Sequence, residues 1–177
     1  MRGCCLCMTH KVLISTLLAI VIATPANLPA DVLQSLLERL ESRPYSEITV
    51  RYTLSMPLLD DDVNYTLLLR PDSITATPTN GQPPRTQCVT ASQFSYFLPG
   101  SITAQIRRAT TTPNHTVTYT PSDSTSVVTV TYAVDSIVGS LTTYIFAENA
   151  IISITKINNP STLTEQTITV RYTALSN

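Results

Sequence analysis

From Ser46 onward the apolar residues of this chain recur at every second position. Between Glu47 and Met56, Ile48, Val50, Tyr52, Leu54 and Met56 share one side of an extended chain, and Glu47, Thr49, Arg51, Thr53 and Ser55 share the other. Successive side chains of a strand point to opposite faces, so this alternation predicts a strand with one buried and one wet side. Further strands are predicted at 63–70, 73–77, 86–90, 94–98, 101–109, 115–120, 126–134, 141–147, 151–157 and 166–174. Turn chemistry separates most of them, at Pro57 to Asp62, Pro78 to Pro84, Pro99-Gly100, Thr112 to Asn114, Pro121 to Ser124 and Asn158 to Ser161. Short strands at regular spacing predict a mainly β chain, an antiparallel β-sandwich or a barrel-like sheet.

Composition agrees with that reading. Thr contributes 29 residues and Ser 17, whereas charged residues are only 13% of the 177, so polarity rests on hydroxyls. β-Branched side chains suit a pleated surface. The formal net charge of −1 removes the basic excess that nucleic-acid binding requires.

One amphipathic helix precedes the strands. Asp31 is placed to cap it, with Gln34 three residues on, and Val32, Leu33, Leu36, Leu37 and Leu40 form an apolar stripe. Pro44 constrains Arg43 away from helical geometry, so the helix should stop near Ser42. Ahead of it, Arg2, His10 and Lys11 form a basic region, Val12 to Ala23 an apolar run, and ATPANLPA a small-residue segment suited to cleavage. That order reads as a secretory signal peptide over residues 1–26, and a 12-residue apolar run is too short for a membrane anchor. The expected organisation is a signal peptide (1–26), a helical segment (27–45) and a β-rich domain (46–177) in an extracellular, secreted protein with no transmembrane anchor after cleavage.

Loss of the signal would remove Cys4, Cys5 and Cys7 and leave Cys88 alone. An internal disulfide is then excluded, and the domain must be held by packing. Cys88 reads as a buried small residue, a free thiol or an intermolecular bridge, the last compatible with a homodimer.

Two internal echoes stand out. ITVRYT occurs at Ile48–Thr53 and at Ile168–Thr173, and V-x-Y recurs at Val50/Tyr52, Val63/Tyr65, Val117/Tyr119, Val130/Tyr132 and Val170/Tyr172. The spacing predicts two similar hairpins, 47–70 and 115–134. Related halves, 46–110 and 111–177, would explain them; so would chance repetition in a Thr-rich chain.

The stretch Val138 to Ala150, with Thr142, Tyr144 and Phe146 in phase, resembles the tyrosine-corner region of fibronectin type III modules. Glu148 stands at an apolar position of that pattern, Ser140 replaces its usual proline, and the chain has no tryptophan. The resemblance implies sandwich architecture.

Chemistry-bearing residues are sparse. Asn64-Tyr65-Thr66 and Asn114-His115-Thr116 are N-glycosylation sequons, and both gain meaning from the predicted leader. With His10 removed, His115 is the sole imidazole, and a zinc site would need more His and Cys than remain. Asp60-Asp61-Asp62 reads as a solvated hairpin turn, with calcium as the alternative. Arg107-Arg108 reads as a charge that protects a strand edge. No catalytic residue, cofactor or metal is expected. The expected function is a secreted protein-binding or adhesion-type module whose partner is an extracellular or cell-surface protein. The alternatives are a small-ligand carrier with an apolar β-interior and a hydrolase with dispersed carboxylates. An enclosed cavity would favour the carrier, opposed acids in a cleft the hydrolase, and an exposed apolar patch the binding module.

Overall fold

In the computed structural model, residues 30–176 are described, apart from Asp123 and Asn149. The predicted signal peptide, with Cys4, Cys5 and Cys7, lies outside the described residues.

Helix α1 spans Ala30–Ser42. Nine antiparallel strands follow: β1 (Glu47–Ser55), β2 (Val63–Leu69), β3 (Ser73–Pro78), β4 (Arg85–Cys88), β5 (His115–Pro121), β6 (Ser126–Val134), β7 (Ile137–Ala147), β8 (Ala150–Asn158) and β9 (Gln166–Ser176). Helix α2 (Pro99–Thr111) lies in the chain between β4 and β5. The nine strands form a single sheet in the order β4-β3-β2-β1-β9-β8-β7-β6-β5. Its outer strands β4 and β5 do not pair, so the sheet stays an open, barrel-like surface. The mainly β architecture with one short helix ahead of the sheet is thus as the periodicity predicted, and both expected hairpins form as β1–β2 and β5–β6.

The period-2 pattern sorts the faces of the sheet. Ile48, Val50, Leu67, Leu69, Ile74, Val128, Phe146, Ile154 and Val170 are buried on one side, with Leu36, Leu37 and Leu40 of α1 and Ile102 and Ile106 of α2 in the same core. On the other side the register aligns Thr53, Thr169, Thr155, Thr143, Thr129 and Thr118 in one row across β1, β9, β8, β7, β6 and β5. The threonine excess is therefore the hydroxyl half of the alternation, placed where neighbouring β-branched side chains can cover one another.

Three predicted strands are corrected. The segment 101–109 is helical, because Ile102, Ile106 and Ala109 fall at i, i+4 and i+7 and all are buried. Pro99 occupies the first turn of α2, where its missing N–H costs nothing, so Pro99-Gly100 starts a helix instead of closing a turn. The hydroxyls of Thr110 and Thr112 donate to the carbonyls of Arg107 and Arg108 at 2.7 Å each, which satisfies acceptors at the helix end. The segments 86–90 and 94–98 are strand only as far as Cys88; single 3-10 turns follow at Val89–Ala91 and Ser95–Phe97. Asp31 lies inside α1, which begins one residue earlier, and Gln34 Nε2 donates to Glu38 Oε1 at 2.7 Å.

The helices are joined to each other by polar contacts. Arg107 Nη1 donates to Glu41 Oε1 at 2.8 Å, and the buried Thr103 hydroxyl lies 2.9 Å from the same oxygen and 3.0 Å from the Gly100 carbonyl. Arg107 is thus an α1–α2 tie, and neither Arg107 nor Arg108 guards a strand edge.

Candidate ligand cavity

The register places two rows of side chains side by side on the covered face. One row runs Val63, Leu54, Ile168, Lys156, Thr142 across β2, β1, β9, β8 and β7. The other runs Tyr65, Tyr52, Val170, Ile154, Tyr144 across the same strands. Above them lie Phe94, Tyr96 and Phe97 from the 3-10 segment and Gln105 from α2. Between floor and roof is a cavity of about 500 Å³, within the usual range for small-molecule sites.

Aromatic contacts hold the roof to the floor. Tyr52 packs edge-on against Phe94 with ring centroids 5.4 Å apart, and Tyr65 meets the same ring at 5.5 Å. Tyr52 and Phe97 are 5.8 Å apart, while the Tyr172 hydroxyl donates to the Phe97 carbonyl at 2.7 Å. Gln105 Nε2 donates to the carbonyls of Tyr96 and Ser101 at 2.9 and 3.1 Å, tying α2 to the roof. Among the described residues no hydrogen bond engages the hydroxyls of Tyr52, Tyr65 or Tyr144, so three phenols line the cavity with polar capacity unused. Burial pushes the Tyr144 phenol up to about 12, and it also raises that of Tyr52, with the neighbouring Tyr65 adding to the effect.

A second cavity of about 340 Å³ adjoins the first, and Gln105, Thr142, Tyr144 and Lys156 line both. Its remaining lining comes from Arg108, Ala109 and Thr112 of α2, with His115, Val130 and Ser140 from the sheet. No Asp or Glu lines either cavity.

Of the chemistry-bearing residues singled out in the sequence, His115 and Arg108 line a cavity and the others lie elsewhere. Cys88 is exposed on the edge strand β4, which removes the buried reading and leaves the free thiol and the intermolecular bridge. Asn114 is exposed in the turn before β5 at φ 63°, a conformation Asn tolerates. Asn64 lies half-buried on the hydroxyl face; its Oδ1 accepts from Thr53 at 2.7 Å and its Nδ2 donates to the Asp62 carbonyl at 3.2 Å. Asp60, Asp61 and Asp62 are exposed in the β1–β2 turn. Among the described residues no three His, Cys, Asp or Glu side chains converge as metal ligands. Tyr144 sits within β7 with its hydroxyl unbonded, whereas a tyrosine corner requires that hydroxyl to bond backbone.

The sequence pointed to a cavity only as the apolar interior of the carrier alternative, and not to what covers it. Its floor was legible as the apolar side of the strands, but its roof was assigned to strands. The signal for the roof was the i, i+4, i+7 spacing of Ile102, Ile106 and Ala109 behind Pro99.

A separate feature lies at one end of the sheet. The β1–β2, β6–β7 and β8–β9 connections share that end, because Ser55 pairs Thr167, Asn158 pairs Gln166 and Ser140 pairs Asn158. Leu58, Ile137 and Leu163 project there, 69%, 73% and 79% exposed.

No protein-family profile matches the chain, and no curated protein matches its sequence. Among solved structures, it is similar to a LolA superfamily protein from Nitrosomonas europaea, with 10% identity over 81% of this chain and 92% of that one and a TM-score of 0.28. Superposition at that level carries no functional argument.

Proposed function

We propose that this protein is a small-ligand carrier that holds an apolar molecule between its sheet and the roof formed by the 3-10 segment and α2. The observation that carries the reading is the 500 Å³ cavity walled by Tyr52, Leu54, Tyr65, Phe94, Phe97 and Ile168. An apolar guest gains by burying its surface there, and the unbonded phenols supply a few orienting contacts. Transport outside the cytoplasm suits the predicted leader at 1–26, and Asn114, exposed in its turn, is the better placed of the two proposed glycan acceptors. N-terminal sequencing and glycosidase treatment of the secreted chain check those two assignments.

The test is titration with phenylnaphthylamine, a dye that brightens in apolar surroundings. Saturable one-to-one binding is expected, and Val63→Trp at the cavity rim should weaken it by about tenfold by occupying guest volume. Absence of saturable binding would exclude the carrier.

A second reading, a protein-binding module, draws on Leu58, Ile137 and Leu163 at the common loop end, since clustered exposed apolar side chains mark docking surfaces. Replacing all three by Ser should abolish partner capture if that reading holds, and should leave dye binding unchanged.

A further inference from the structure

Lys156 interrupts an otherwise uncharged row. Its neighbours across the sheet are Ile168 on β9 and Thr142 on β7, and the row continues through Val130 to Val117. It is the only lysine among residues 30–176. Inward-facing charge can protect a sheet edge, but β8 is an interior strand paired on both sides. Edge protection therefore does not account for Lys156, which stands solvent-exposed where the two cavities meet.

Lys156 is not alone. Arg108 of α2 and His115 of β5 line the same second cavity, and among the described residues neither Lys156 nor Arg108 has a carboxylate partner. Arg107, one position earlier, instead pairs with Glu41 at 2.8 Å. His115 Nδ1 donates to the Pro113 carbonyl at 3.0 Å, which fixes the proton on that nitrogen and leaves Nε2 as the free one. The Tyr144 hydroxyl and the Ser140 hydroxyl add neutral donors to the lining. Cations and hydroxyls without an acid among them form a receptor for an oxyanion.

This receptor shares Gln105, Thr142, Tyr144 and Lys156 with the aromatic cavity. Resting on the carrier reading, we propose that the ligand is an anionic amphiphile: its hydrocarbon part fills the aromatic cavity, and its carboxylate or phosphate group sits in the second cavity against Lys156 and Arg108. An uncharged hydrocarbon would leave these cations idle. A free inorganic anion would leave the aromatic cavity empty.

Displacement of phenylnaphthylamine by dodecanoate, dodecyl phosphate, dodecanol and inorganic phosphate tests the proposal on the full chain. The two anionic amphiphiles should displace the dye at concentrations about tenfold or more below dodecanol, as expected for charge-assisted hydrogen bonds. The stronger of the two identifies a fatty-acid or a phosphate-ester source. In the Lys156→Gln, Arg108→Gln double variant the preference for the anionic ligands over dodecanol should shrink about tenfold. Both residues are solvent-exposed, so the variant should retain the parent melting temperature. Equal binding of dodecanol would overturn the head-group assignment and leave the carrier standing. Displacement by inorganic phosphate matching dodecyl phosphate would overturn it too, as would a preference that survives in the double variant. Failure of all the dodecyl ligands together with the dye would remove the carrier reading itself.

Discussion

Tyr144 and Tyr172 show what a single hydroxyl does in this core. Burial raises the Tyr172 phenol well above its ordinary value of 10.0, with the adjacent Tyr144 adding to it, and burial alone takes Tyr144 to about 12. Both folded values exceed the unfolded one. Below pH 10 both states keep their protons and the full contribution is present. As pH rises from 10 towards 12 the unfolded chain ionises first, so stability falls. For Tyr144 that window of about two units corresponds to about 3 kcal/mol. Urea unfolding measured from pH 9 to 12 should therefore show a decline that Tyr144→Phe flattens. Tyr172→Phe should flatten it as well, and should also cost about 1 kcal/mol at pH 7 through loss of the bond to Phe97. A decline as steep in the double phenylalanine variant as in the parent would contradict this.

Elements made mostly from local alternation were legible in the chain; those needing a choice between periods were not. Strands β5 to β9 begin or end close to the predicted bounds, because Thr, Val and Tyr alternate over runs long enough to admit one face assignment. In α2, Ile102 and Ile106 satisfy period 2 as well as period 3.6, and only burial of Thr103 and Ala109 on the same side distinguishes them. Repetition of ITVRYT has a direct structural outcome: the copies lie on β1 and β9 and pair with each other, with Arg51 opposite Arg171. Like charges directly across a ladder destabilise it, and no acid lies beside this pair among the described residues. Arg171→Thr should raise the stability by about 0.5 kcal/mol, read as a higher urea midpoint with unchanged slope. A lower midpoint would mean that the arginines have a partner or a stacking role.

At the scale of the molecule, the nine strands share one sheet whose covered face is longer than the two helices can fill. Near α1 the leucine stripe packs closely on the sheet, with Leu37 only 1% exposed. Towards the loop end the covering layer is the 3-10 segment and α2, and there the cavities remain. A guest that binds only the folded state stabilises it by mass action. Adding dodecanoate at about a hundred times its dissociation constant should raise the unfolding free energy by about 2.7 kcal/mol, and delipidation should reverse the gain. An unchanged melting temperature on saturation would mean that the ligand does not bind the folded state selectively.

What the chain determined by itself is local: alternation sets which side chains share a face, Pro44 ends α1, and the leucine stripe commits that helix to burial. Which strand neighbours which, and so whether Lys156, Arg108 and His115 meet, depends on contacts between residues dozens of positions apart. Hydrophobic burial is non-directional, so a pattern of apolar positions demands a cover without naming it. Only the assembled sheet and its two helices decide where that cover is complete and where it leaves room for a guest.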